Sequence, residues 1–204
     1  MSTSSARSAA IVAGSSLALM AVIAPVAVFV AIPAGLTGIA ALAILAVAVL
    51  DIVVAVALLP VFAGRSQTLA RMTAGLRIAY AAVFAVAGAH LLGRPDIAAF
   101  ERIWDAGLLL FAAHLIALGA LIWRSRAAGR WLAVLVLLSG AGYLVDAVLA
   151  AVAPGVGVEF TPVTFVGEVA LLLWLLIRGG RGPAPDDTAS DASGSAESFT
   201  PARR

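Results

Sequence analysis

The chain contains no cysteine, and none of its 13 basic residues is a lysine. The first absence excludes disulfides, thiolate nucleophiles and cysteine-ligated metals. The second excludes Schiff-base chemistry, a retinal linkage included, and leaves arginine as the cation that stays charged at every pH. Charge of either sign is scarce: 12% of the 204 residues are charged, against roughly a quarter in soluble domains. Only two histidines, His90 and His114, are present.

What remains is apolar. The sequence is 63% hydrophobic with a mean hydropathy of +1.09, a composition that belongs in a bilayer. The net charge of +2 and the pI near 9.9 do not point to nucleic acid. The arginines are spread over short loops rather than gathered in one basic patch with aromatics between them. An Ala, Val, Leu, Gly and Arg vocabulary without lysine fits a GC-rich bacterial genome.

Hydrophobic runs predict an all-α fold, a polytopic bundle of six transmembrane helices over residues 9–178. The helices are placed at about 9–32, 36–62, 69–92, 103–123, 131–153 and 162–177. Residues 1–8 form a short polar start, and 179–204, rich in Gly, Pro, Asp, Ser and Ala, read as a disordered tail. The first run resembles a signal peptide in having a cation before it, but it is about twice a usual apolar h-region, so it is read as a helix with a kink at Pro25. Arg7, Arg65, Arg71, Arg124, Arg126, Arg130, Arg178 and Arg181 fall at one end of the bundle, against Arg94 and Arg102 at the other. The positive-inside rule therefore places both termini in the cytoplasm and the protein in the bacterial cytoplasmic membrane, with the lipid bilayer as its surroundings. A Leu-Asp-Ile-Val run at Asp51 and a Val-Asp-Ala-Val run at Asp146 also leave open an inverted repeat of two three-helix halves.

Several short stretches are distinctive. Helix 3 opens with Leu69-Ala70-Arg71-Met72-Thr73-Ala74-Gly75-Leu76-Arg77, helix 4 carries His114, and helix 5 carries Gly140-Ala141-Gly142-Tyr143-Leu144-Val145-Asp146. Helix 6 carries Phe165-Val166-Gly167-Glu168 and Leu173-Trp174-Leu175-Leu176-Ile177. In these the chain resembles a bacterial membrane family known as domain of unknown function 4386, DUF4386. The resemblance implies a multi-spanning membrane protein and brings no activity, cofactor or catalytic residue with it.

Ionised side chains at bilayer depth cost several kcal/mol unless a partner, a cavity or a proton neutralises them. Counting along the helices puts Asp51 ~16 Å and Arg77 ~12 Å from the cytoplasmic ends of helices 2 and 3, where they can pair. Thr73 and Tyr80 put hydroxyls on the face of Arg77. A second polar layer is expected nearer the outside: His114, Tyr143, Asp146, Thr164 and Glu168, with Asp146 ~23 Å up helix 5 and Glu168 ~9 Å below the outer end of helix 6. If these converge they form either a site for a proton, a cation or a small amphipathic solute, or a hydrogen-bonded cluster that holds helices 4, 5 and 6 together.

No cofactor is expected. His90 and His114 lie at different depths and do not bracket one haem. His114, Asp146 and Glu168 offer a zinc three ligands in principle but lack a His-Glu-x-x-His or His-x-x-x-His spacing. No phosphate-binding, dinucleotide or nucleophile-elbow motif is present. Three functions stand: a membrane-embedded binding or transport protein, a non-catalytic membrane scaffold or regulatory subunit, and a lipid-acting membrane enzyme.

Overall fold

The computed structural model describes residues 3–62, 66–125, 128–153, 160 and 165–181. Among them every regular element is helical: α1 (Thr3–Pro25), continued by a π-helical stretch (Val26–Ala31), α2 (Thr37–Phe62), α3 (Gln67–Ala89), α4 (Ile97–Ser125), α5 (Arg130–Val152) and α6 (Val166–Ile177). The first five, with the π-helical stretch extending α1, are long and apolar enough to cross a membrane. Of the polar tail expected from residue 179, all but the first three residues lie outside the described chain.

Local chemistry sets the ends of these helices. Pro25 has no N–H to give the preceding turn, and the ladder beyond it widens, so that Ile32 N–H reaches back five residues to the Ala27 carbonyl at 3.0 Å. The Ser66 hydroxyl accepts from Leu69 N–H at 3.4 Å and opens α3. The Asp96 carboxylate accepts from Ala99 N–H at 2.9 Å and opens α4. That cap starts α4 six residues before the expected Ile103. Glu101 and Arg102, read from the sequence as loop, sit on its exposed face.

Each helix presents a buried stripe at intervals of three and four residues. In α2 it runs through Ile44, Val47, Asp51, Val54 and Leu58, and in α3 through Ala70, Thr73, Arg77, Tyr80 and Phe84. Successive helices pack side by side, and α6 packs on both α5 and α1, which closes the six into a ring. Arg7 secures that closure. Its guanidinium donates to the carbonyls of Leu175 (3.1 Å), Leu176 (2.6 Å) and Gly179 (2.9 Å), the unpaired acceptors at the C-terminus of α6. The start of α1 and the end of α6 therefore lie at the same end of the bundle.

Large apolar side chains cover the outside, with Phe29 74% and Val152 73% exposed, as lipid contact requires. Small residues admit close helix approach on the inside. A methyl at Gly140 would lie 2.9 Å from the Ile116 amide nitrogen and 3.1 Å from the Ala112 carbonyl, so α5 touches the backbone of α4 there. At Gly167 it would run into the Leu135 carbonyl and the Ser139 hydroxyl, so α6 is seated directly on the backbone of α5.

Gly167→Ala should accordingly lower stability by about 1–3 kcal/mol through overpacking. Gly75→Ala, whose methyl meets nothing within 4 Å, should leave stability unchanged or raise it. Detergent-denaturation curves followed by circular dichroism compare the two.

Candidate functional site

The ring encloses a polar centre. Asp51 on α2 and Arg77 on α3 are each 1% exposed, and His114 on α4 is wholly buried. Arg77 Nη2 lies 2.6 Å from Asp51 Oδ1. The approach is short but off the hydrogen-bonding direction, so it is an ion pair more than a directed hydrogen bond; Oδ2 and Arg77 Nε have no protein partner. Arg77 Nη1 lies 3.2 Å from His114 Nε2, and His114 Nδ1 lies 2.9 Å from the Thr73 carbonyl.

These contacts fix the tautomer. A guanidinium has only donors, so Nε2 must accept; a carbonyl only accepts, so Nδ1 must carry the hydrogen. Both ring nitrogens are thereby engaged, and His114 has none left for a metal. Thr73 contributes through its carbonyl, while its hydroxyl donates back to the Leu69 carbonyl at 2.8 Å. His90 caps the far end of α3 and is exposed.

Aromatic rings extend the centre. The Arg77 guanidinium lies over the Phe111 ring, 5.5 Å from its centroid. Phe111 also meets Tyr80 at 4.8 Å and, edge to face, Tyr143 at 5.1 Å. The Tyr143 hydroxyl faces the Glu168 carboxyl. Glu168 Oε1 is buried with no hydrogen-bond partner, and the carboxyl lies near enough to Arg77 and Asp51 to feel both charges. At the end where α1 begins and α6 ends, Phe62 stacks on Trp174 at 5.6 Å.

The two layers expected from counting depth are thus redrawn. His114 belongs with Asp51 and Arg77, because the stripe of α4 that carries it faces α3. Glu168 lies at the same level for a different reason. α6 has 12 residues, about 18 Å of helix against a hydrocarbon core of about 30 Å. Arg7 holds its C-terminus at one end of the bundle, so its first turn, which carries Glu168, begins deep inside. Asp146 stays behind near the other end, half-exposed, where its carboxylate accepts from Phe160 N–H at 2.8 and 3.1 Å. Thr164 lies outside the described residues. Asp51 and Asp146, the residues that suggested a repeat, occupy unlike environments.

Phe111 is the member of the centre that reading the sequence left out. It is three residues before His114, on the same face, and four after Gly107, where a methyl would crowd Val83 of α3 at 3.1 Å. A small crevice between α2, α3 and α4 reaches His114 and Thr73 and otherwise has Ala and Leu walls. It holds about 10 Å³, the space of one water at most.

Breaking the ion pair should be costly. Asp51→Ala or Arg77→Ala alone leaves one charge unmatched in a dry interior and should destabilise by about 3–5 kcal/mol. The double variant should lose less than the sum of the two, and a double-mutant cycle on unfolding free energies in detergent measures the difference.

The family described as domain of unknown function, DUF4386, matches residues 96–179, from the cap of α4 to the end of α6. An uncharacterized protein of Archaeoglobus fulgidus is 36% identical over 133 residues, a match that covers 65% of this chain and 79% of that protein. No solved structure matches the chain. The chain belongs to the DUF4386 family, whose function is unknown.

Proposed function

We propose that this membrane protein binds a proton at its centre, in the pair formed by Glu168 and Tyr143, beside a fixed arrangement of Asp51, Arg77 and His114. The observation that carries the reading is the Glu168 carboxyl itself: one oxygen is buried without a partner, the other side of the group meets a phenol, and a permanent cation lies near. A lone carboxylate in lipid is kept where a proton or a partner neutralises it. Binding and releasing a proton changes how Glu168 interacts with Tyr143 and Arg77, and so changes the seating of α6.

Two further features support this. Half-length helices that begin near the bilayer midplane recur at the ion and substrate sites of secondary transporters, and α6 has that length. The crevice beside His114 holds about 10 Å³, the space of one water at most, which suits a water or a proton on that side of the centre. The excess of arginine at the end of the bundle where α1 begins and α6 ends supports a cytoplasmic orientation for that end, by the positive-inside rule.

A second reading, a non-catalytic scaffold, draws support from His114, whose two ring nitrogens are both satisfied, and from the close-packed rings around Phe111. Infrared spectroscopy of the full chain in liposomes separates the two. The proton-binding reading expects a protonated-carboxyl band that fades as pH rises and that Glu168→Gln removes while the helical content stays native. A carboxyl spectrum that is the same in wild type and Glu168→Gln across the titration would leave the scaffold.

A further inference from the structure

The corner where α4 meets α5 concentrates features found nowhere else among the described residues. Trp123 and Arg124 end α4, and Arg130 and Trp131 begin α5; all four side chains are exposed, the two indoles by 45% and 55%. They are arranged rather than scattered. The Arg130 guanidinium lies over the Trp123 ring, 5.2 Å from its centroid, and the indole nitrogen of Trp131 folds back over Gly129. The Arg130 guanidinium and the Trp123 ring therefore lie together at the end of two lipid-length helices, with the exposed Arg124 next to Trp123 in α4 and Trp131 next to Arg130 in α5.

Charge around this corner is one-sided. Among the described carboxylates, Asp96, Glu101, Asp105 and Asp146 lie toward the opposite end of the bundle, Asp51 is buried inside it, and Glu168 is half-buried facing Tyr143. The first turn of α5 holds no acidic residue. Arg7, Arg71, Arg178 and Arg181 lie at the same end as the corner. Nothing acidic in the described chain competes for the two arginines.

The geometry points to a binding site for the headgroup of an anionic phospholipid, formed by Trp123, Arg124, Arg130 and Trp131. Arginine supplies the planar fork that suits a phosphate. Tryptophan suits the depth at which headgroup meets acyl chain, with its ring in the apolar layer and its N–H toward the polar one. The stacking of Arg130 on Trp123 holds the guanidinium in place while leaving its N–H edge open. The apolar faces of α4 and α5, where Ile116, Val134 and Leu138 are exposed, offer the acyl chains a surface running away from the headgroup. A dissolved phosphate would use the same donors without needing that surface, and this is why the site is assigned to a lipid.

Native mass spectrometry of the detergent-solubilised full chain tests the assignment, with phosphatidylglycerol and phosphatidylcholine as probes. Each arginine near a membrane surface is worth about fivefold in affinity for anionic lipid. Arg124→Gln combined with Arg130→Gln should therefore weaken the tightest phosphatidylglycerol adduct by roughly thirtyfold and leave phosphatidylcholine unchanged. Should the double variant fail to fold, Arg130→Gln alone carries the test at about fivefold. Equal phosphatidylglycerol binding by variant and wild type, or equal binding of the two lipids by the wild type, would overturn the assignment. So would displacement of phosphatidylglycerol by excess inorganic phosphate, which would mark a site for a free anion.

Discussion

Arg77 brings a guanidinium to mid-depth in a bundle whose outside is apolar. Removing a guanidinium from water costs several kcal/mol, which its surroundings must return. Asp51 supplies the opposite charge, His114 an acceptor and Phe111 a ring face. Each comes from a helix that has to be turned to a particular angle about its axis for this to happen. The pairing therefore acts on the whole structure: it fixes the rotation of α2, α3 and α4 together, where stripes of Ala, Val and Leu alone would permit several.

The other side of the ring is set by the backbone. Among the described α-helices α6 is the shortest, and it is held at its C-terminus by Arg7 and along its length by the contact of Gly167 with α5. Those two constraints, more than any side-chain attraction, bring Glu168 to the level of Arg77. A longer α6, or a larger residue at Gly167, would carry the carboxyl away from Tyr143. The interior is thus formed from two parts with different origins: a charge-paired set on α2, α3 and α4, and a carboxyl delivered by the geometry of a half-length helix.

Much of the architecture was legible in the sequence because lipid imposes simple rules. Long apolar runs, Pro25 and the turn residues located the helices to within a few residues, apart from the starts of α1 and α4, each about six residues earlier than expected: α1 opens at Thr3, inside what was read as a polar start, and the cap at Asp96 lengthened α4 through residues that looked like a loop. Depth along a helix was legible too, and it brought Asp51 and Arg77 together. Rotation about the helix axis was not, because apolar residues surround these helices on nearly every face and periodicity carries little information. His114 was consequently grouped with the outer layer of Asp146, somewhat below it, when its stripe faces α3. Glu168 was placed too near the surface because helix 6 was assumed to span the full bilayer, and nothing in its composition announces that Arg7 anchors it low. The contacts of Phe111 with Arg77, Tyr80 and Tyr143 depend on the same rotation.

The tautomer of His114 tests the arrangement of the centre most directly, since it follows from the contacts with Arg77 and Thr73 and from no other feature. Nitrogen-15 solid-state NMR of the full chain in lipid bilayers reads it, with His90→Gln used to assign the one remaining imidazole. A neutral ring with its hydrogen on Nδ1 is the predicted result. A hydrogen on Nε2 would place a donor against the Arg77 guanidinium, and that finding would contradict the pairing on which this account of the interior rests.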